Sequence, residues 1–425
     1  MIQGTTLAAS GQPPAGRPTP ARTPWGAIVV VVVLALLAWL HLYRAVQTAS
    51  VEPTDFRTYF MASEDALAGR NPYTKSEKHL DYIYPPLLLW LCAPLTKLPF
   101  LVAVAVWTLV NFLAWIGAVC LTLKIVNPRR AATWILIVVP SLACYRWILQ
   151  ASTRGQLNLI VLLVTLAGLW AAERRKEWLS GSFLAMAIHL KLLPILFLPY
   201  FILRTRWKVV ASCFAVGVIL LVLPGVTYGR EWTIQMLRLW LQRFLQHGGA
   251  LAMDMEGGNQ APLAMMYRFL ARRDVPPVEW FPPPVASLPP ETVWLMYTLV
   301  AVTVYSVTLW LSNRSHPFAP AAADFSLLFL STHLVSKKTF EHHLVTMIFV
   351  YSALLAIVPG WRGSPRRAAT AWWGLWGAII LQNFYSPMFL GLTAASRIGV
   401  YSPTTLSLIL LWSVLVMLKL DRSKG

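Results

Sequence analysis

The sequence predicts an all-α polytopic membrane protein, and three observations carry that prediction. Of the 425 residues, 57% are hydrophobic and 12% charged, against about 25% charged in a soluble globular domain. Apolar runs recur from residue 25 to residue 418, which argues for one membrane domain over the two or three soluble domains the length would otherwise allow. The lysines and arginines that make the net charge +19 sit in short clusters between those runs. In a soluble chain such a balance would suggest nucleic acid. Without a basic stripe, membrane topology accounts for it better, and nucleic acid is excluded as a partner.

Taken in order, residues 1–24 are rich in Pro, Gly, Ala and Thr and are expected to be a disordered cytoplasmic segment. Residues 25–43 run for 19 residues without Asp, Glu, Lys or Arg. That is long for a signal-peptide core and fits an uncleaved first span. Further spans are expected at 101–123, 131–149, 158–172, 209–224, 292–311, 325–336, 343–358, 369–385 and 402–418, about ten in all within 25–419, with a cytoplasmic tail at 420–425. Two segments are irregular: 84–98 is short and proline-rich, and 178–203 holds Lys191 and Pro194 at its middle. A lysine at mid-membrane is costly unless it faces a cavity, so both read as re-entrant elements buried in protein. Cys92, Cys120, Cys144 and Cys213 lie in apolar segments without metal-ligand spacing and read as small buried hydrophobes.

Charge sets the sidedness. The connections 124–130, 173–177, 204–208, 360–367 and 419–425 each carry three Lys/Arg. A cytoplasmic N-terminus puts all five inside, as the positive-inside rule requires. The other side then receives two long loops, 45–83 and 225–291, with 12 of the 17 acidic residues. The count closes only if neither irregular segment crosses.

The first outer loop carries the main chemical signal. Phe56, Tyr59, Phe60, Ser63 and Leu67 recur at helical spacing, and Gly69 and Pro72 follow as a C-terminal stop. The pattern is that of an amphipathic interfacial helix. Asp55 sits in its first turn, where the dipole favours the ionised form. It reads either as a helix cap or as a general base that takes a proton from an acceptor hydroxyl. Glu52, Glu64, Asp65 and Asp81 are rival carboxylates that read as solvated surface. Three more polar sets fall at outer ends of spans: Arg154-Gly155-Gln156-Leu157-Asn158, Gly257-Gly258-Asn259-Gln260, and Lys337-Lys338-Thr339-Phe340-Glu341-His342-His343. Their amides, cations and imidazoles suit a phosphate and sugar hydroxyls. Equally, Gln156 and Asn158 could cap or bond between helices, and the lysines could snorkel to head groups. A zinc site at the histidine pair is disfavoured, because adjacent helical residues point to different sides; no metal or cofactor is expected.

Taken together, these motifs resemble glycosyltransferase family 87, the polyprenyl-phosphate-mannose-dependent mannosyltransferases of the GT-C membrane superfamily. The resemblance rests on D-F-x-x-Y-F with L-A-G-R-N-P-Y, then Y-P-P-L with A-P-L, G-Q-x-N, G-x-x-x-A-x-A-x-x-x-K-x-x-P from Gly181 to Pro194, G-N-Q and E-H-H, in that order between residue 54 and about 345. Two positions depart from the family: Ser336 to Phe340 stand where it has Ser-Pro-x-Ser-Trp, and Ala261 follows Asn-Gln where it has Ser. The resemblance implies a GT-C fold and an inverting transfer of a hexose, mannose first, from a polyprenyl-phosphate sugar to a glycolipid or glycan acceptor. It places this at the extracytoplasmic face of a plasma, bacterial inner, membrane. It assigns Asp55 as general base. His342, His343, Lys337 and Lys338, then Arg57, are the candidates for the donor phosphate. Tyr84, Gln156, Asn158, Lys191, Asn259, Gln260 and Glu341 are candidates for the sugar or acceptor. Residues 276–290 are expected to contact the acceptor. The competing reading is a transporter or flippase of lipid-linked sugars. It would predict internal repeats with broken helices in both halves, whereas no second copy of the first outer loop occurs and the polar sets gather at one face.

Overall fold

In a computed structural model, the protein is described over residues 24–74, 80–126, 134–249, 254–273, 281–314 and 320–421. The expected disorder of 1–23 and the end of the tail lie outside the described residues, as do part of the 124–130 connection and part of 276–290. The chain divides into two compact units, Met1–Leu40 and His41–Gly425.

The order is helical throughout. First come α1 (Pro24–Val51), α2 (Asp55–Leu67), α3 (Pro86–Cys92), α4 (Phe100–Val126), α5 (Trp134–Ala143), α6 (Tyr145–Thr153) and α7 (Asn158–Glu173). Then follow α8 (Glu177–Leu190), α9 (Leu198–Leu203), α10 (Trp207–Val222), α11 (Pro224–Tyr228), α12 (Arg230–Gly249) and α13 (Pro262–Leu270). The last are α14 (Pro290–Asn313), α15 (Ala321–Leu334), α16 (Met347–Ile357), α17 (Pro365–Asn383), α18 (Pro387–Gly399) and α19 (Pro403–Lys419). Among the described residues there is no strand, only one bridge between Ala271 and Leu288.

Five stretches are long and apolar enough to cross a membrane: Ile28–Val51, Phe100–Val126, Trp207–Tyr228, Pro290–Asn313 and Glu341–Gly360. Two bent pairs, Trp134–Ala143 with Tyr145–Thr153 at 60° and Phe389–Gly399 with Pro403–Lys419 at 78°, raise the number to seven. Of the other expected spans, Asn158–Glu173 and Ala321–Leu334 are apolar helices shorter than 18 residues. Phe214, Val226, Leu299 and Trp373 stand exposed, as side chains facing lipid do. The chain is a multi-pass membrane protein. Of the four cysteines three are buried as expected; Cys120 is exposed, on the outward side of α4.

Ion pairs gather the basic connections at one face. Arg204 reaches the Ser312 carbonyl and Asp324 at 3.1 Å, and Lys419 reaches Asp324 at 2.7 Å. Arg206 donates to Ala172 O at 2.7 Å. Asp421 receives the Trp361 indole at 3.0 Å and the Ser364 amide at 2.8 Å. The ends of α7, α9, α14, α17 and α19 therefore meet.

Both irregular segments return to the face they leave. The 178–203 segment climbs from that basic face along α8, 14 residues or about 21 Å. It breaks at Lys191, which is extended (φ −157°, ψ 129°), and descends through a 3₁₀ turn, Leu193–Phe197, and α9 to Arg204. Pro194 cannot continue a helix, which fixes the break. Gly181 lets the rising leg press on α10: a Cβ there would meet Val209 O at 2.3 Å. The 84–98 segment begins with Tyr84 against Tyr59 of α2, ring centroids 5.2 Å apart, and ends beside Phe100, stacked on Phe56 of α2 at 6.3 Å.

Candidate functional site

The site is built on the turn that α2 and α7 share. Thr54 is the N-cap of α2, its hydroxyl accepting the Arg57 amide at 3.2 Å. Thr54, not Asp55, therefore caps the helix, and the Asp55 carboxylate turns instead to Gln156. Gly155, at φ +68°, lets the chain turn where a Cβ would lie 2.4 Å from Phe56 Cβ. The Gly155 carbonyl accepts the Trp107 indole at 2.8 Å, Trp107 stacks on Phe56 at 5.2 Å, and the Phe56 amide donates to Arg154 O at 3.3 Å. G-Q-x-N thus docks the first turn of α2 onto the N-terminal end of α7.

Asp55 is half-buried. Burial raises its carboxyl above the ordinary aspartate value, while the Lys191 charge, a hydrogen bond from the Gln156 side chain and the Arg154 charge pull the other way. Gln156 is itself buried, and among the described residues its Oε1 has no partner. Lys191 Nζ donates to Asn158 Oδ1 at 2.6 Å, and Asn158 Nδ2 donates to His342 O at 2.9 Å. The three polar segments 154–158, 191 and 341–343 are therefore one assembly.

Two cavities meet at Lys191. A smaller one, about 50 Å³, is lined by Asn158, Lys191, Thr332, His333, His343 and Thr346 among others. A larger one, about 470 Å³, is mostly apolar, with Ile83, Tyr84, Lys191, Leu192, Trp240 and Phe244 on its walls. Tyr84 accepts a hydrogen bond from Tyr59 OH at 3.2 Å. The L-A-G-R-N-P-Y loop braces it: Tyr73 OH donates to Tyr84 O at 3.1 Å. Lys191 both faces a cavity and ties the hairpin to α7.

The remaining sequence candidates are engaged as follows, His343 besides its place on the smaller cavity. Arg57 donates to Ala49 O at 2.6 Å and lies over the Phe100 ring, bracing α2. Lys338 is exposed and pairs with Asp254 at 3.1 Å; Lys337 lies near the Trp294 ring. Asn259 Oδ1 accepts the Ala261 and Thr339 amides, and Gln260 Nε2 donates to Gly257 O and Gly399 O. These two amides clasp backbone instead of lining either cavity. Glu341 is held by Arg146 at 2.8 Å, and Arg146 also donates to Gln382 O. His342 stacks on Phe340, and His343 Nδ1 accepts the Phe340 amide. Among the described residues no three of His, Cys, Asp or Glu converge as metal ligands. Of the rival carboxylates, Asp65 pairs with Arg70, Asp81 with Arg243, and Glu52 with Arg154. Sequence reasoning missed Arg146, Trp240 and His189, the last also on the wall of the larger cavity; no spacing signal marks them.

The family model for glycosyltransferase family 87 matches residues 82–336, more than half of the chain. An alpha-(1->3)-arabinofuranosyltransferase of Corynebacterium glutamicum is 28% identical over 46% of this chain and 48% of its own length. A polyprenol-phosphate-mannose-dependent alpha-(1-2)-phosphatidylinositol pentamannoside mannosyltransferase of Mycolicibacterium smegmatis is 28% identical over 44% and 46%. A phosphatidylinositol mannoside mannosyltransferase of Mycobacterium tuberculosis, also polyprenol-phosphate-mannose-dependent, is 27% identical over 77% and 75%. The chain thus spans about half the length of the first two relatives it matches. The crystal structure of ArnT from Cupriavidus metallidurans, bound to undecaprenyl phosphate, overlaps 94% of this chain and 79% of its own at 14% identity, with a TM-score of 0.41. On the family match, the chain belongs to glycosyltransferase family 87.

Proposed function

We propose that the protein transfers a hexose, mannose first, from a polyprenyl-phosphate sugar to a hydroxyl of a glycolipid or glycan acceptor, with inversion, on the extracytoplasmic face. The observation that carries this reading is a half-buried carboxylate within electrostatic reach of a cation that lines an apolar cavity. Asp55 feels the Lys191 charge, and Lys191 lines a cavity of about 470 Å³ whose other walls suit a hydrocarbon chain. The polyprenol-phosphate-mannose donors named for two of the relatives support the same donor class.

Asp55 takes the acceptor proton as the acceptor oxygen attacks the anomeric carbon. The bond from that carbon to the phosphate oxygen breaks, and the electron pair stays on the departing phosphate. A cation that meets this growing charge stabilises the transition state more than the ground state, and Lys191 stands where the apolar cavity and the polar assembly join. Gln156 orients the base through its side-chain hydrogen bond to Asp55. The basic face described above is the cytoplasmic one on this reading, since positive connections stay inside.

The test uses purified protein with a polyprenyl-phosphate-mannose donor labelled in the sugar, and a panel of glycolipid acceptors. Native protein is expected to transfer label, and Asp55→Asn to lose about 10²-fold or more, the scale of a general base. Full transfer by the variant would remove Asp55 from the chemistry.

A further inference from the structure

His189 lines the larger cavity together with Lys191 and has no part in the reaction as derived so far. It sits two residues before the lysine, on the last turn of α8. Its Nδ1 is engaged with the Ala185 carbonyl, four residues back, at 2.8 Å. That bond fixes the tautomer, with the Nδ1 proton committed to the helix, and leaves Nε2 as the ring nitrogen available to a ligand. The one hydrogen bond of the His189 ring among the described residues is that of Nδ1, and the residue is half-buried, so Nε2 is not sealed in the core. Around it the wall is Ile83, Pro85, Ile188, Leu192, Leu221 and Phe244. With Nδ1 bonded to the Ala185 carbonyl, it is the Nε2 side of the imidazole whose desolvation against this apolar wall no protein group offsets.

Only Tyr84 and Trp240 add further polar atoms to this wall. Tyr84 OH is already the acceptor of Tyr59, and Lys191 gives one of its donors to Asn158. The groups left to bind are the remaining Lys191 N–H donors and the His189 Nε2, both carried by the same end of one helix, with the Tyr84 O–H and the Trp240 indole N–H, which has no partner among the described residues, on the facing walls. These few polar atoms in an otherwise hydrocarbon cavity match a ligand that is one small anionic group on a long apolar chain.

We propose that His189 is a second phosphate-binding residue, holding through Nε2 the phosphate of a polyprenyl phosphate whose chain lies in the apolar cavity, while Lys191 holds another oxygen of the same phosphate. This rests on the donor class proposed above and adds a residue that the family motif does not contain. His189 makes no covalent bond. Its Nε2 forms a hydrogen bond to a phosphate oxygen, as donor in the imidazolium form or as acceptor from a protonated phosphate.

Binding is read by isothermal titration calorimetry in detergent while a polyprenyl monophosphate, or the matching polyprenol without phosphate, is titrated into native protein and into His189→Ala, His189→Gln and His189→Asn. Native protein is expected to prefer the phosphate. His189→Ala is expected to lose about tenfold of that preference, the scale of one hydrogen bond to a charged group, with polyprenol affinity unchanged. His189→Gln, which can place an N–H near the Nε2 position, is expected to recover most of it; His189→Asn, which can reach only the Ala185 carbonyl, is not. A His189→Ala protein that keeps the native preference refutes the His189 assignment alone. Native protein that does not distinguish phosphate from polyprenol refutes the donor class itself. Equal loss of affinity for both ligands in His189→Ala marks a packing role and also overturns the proposal.

Discussion

Replacing Gly155 by alanine tests whether the turn before α7 sets the position of Asp55. Two costs can be separated. Gly155 sits at φ +68°, and a left-handed conformation costs an L-residue about 1–2 kcal/mol. The new Cβ would also lie 2.4 Å from Phe56 Cβ, where ordinary contacts begin at 3.4 Å. Relieving that overlap moves the first turn of α2 by about 1 Å, and a misplacement of that size costs about 10²-fold in rate. Gly155→Asn divides the effects, because asparagine tolerates the left-handed region better while its Cβ keeps the overlap. Both variants are expected to transfer about 10²-fold more slowly than native protein in the labelled-donor assay. Gly155→Asn is expected to melt closer to native protein than Gly155→Ala in detergent. Folded Gly155→Ala with native turnover would refute the argument that Phe56 and Gly155 fix the base.

Further outcomes follow from the same geometry. Asp55 must be ionised to act, and burial raises its carboxyl, so activity should fall with decreasing pH at a midpoint above the ordinary aspartate value. Lys191→Met removes a charge that lowers the same carboxyl, so the residual activity should show that midpoint moved higher still; a midpoint moving down would contradict the coupling. Asp324→Ala strips the partner from Lys419, whose side chain is 2% exposed, and should cost about 3–5 kcal/mol, read as a lower midpoint of thermal unfolding in detergent. In a Cys120→Ser background, Glu64→Cys should label from the extracytoplasmic side and Arg175→Cys only after permeabilisation; labelling of both from one side would overturn the assigned topology.

Much of the fold was legible because its rules are periodic or electrostatic. The outer helix was read from Phe56, Tyr59, Phe60 and Ser63, and Gly69 ends it at φ +73°, as a stop of that kind requires. The irregular segments were recognised by what they lack: a proline-rich stretch and a lysine at mid-segment cannot form an ordinary span. Direction was not legible. Lys337 and Lys338 stand within six residues of His342 and His343, yet the Thr339 amide is pulled onto Asn259 and the lysines turn outward. The three helices α12, α13 and α18 were not anticipated; the first two lie in what read as a loop, because their polar and apolar residues match an interface more than a span. Arg146, Arg204 and Lys419 find Glu341 and Asp324 across 195, 120 and 95 residues, separations that no local pattern encodes.

The hairpin that carries Lys191 also has a consequence for biogenesis. A lone lysine in a bilayer costs about 2.5–3.5 kcal/mol at the centre of a helix during insertion, and this segment returns to its starting face without the length of a full span. Its partner Asn158 lies 33 residues earlier in the chain and leaves the ribosome first. The α7 helix is therefore in the membrane, with an amide waiting, when α8 and α9 emerge. The order of translation matches the order of dependence, and a permuted chain that delivered 177–204 before 158–173 would send the lysine in without its acceptor.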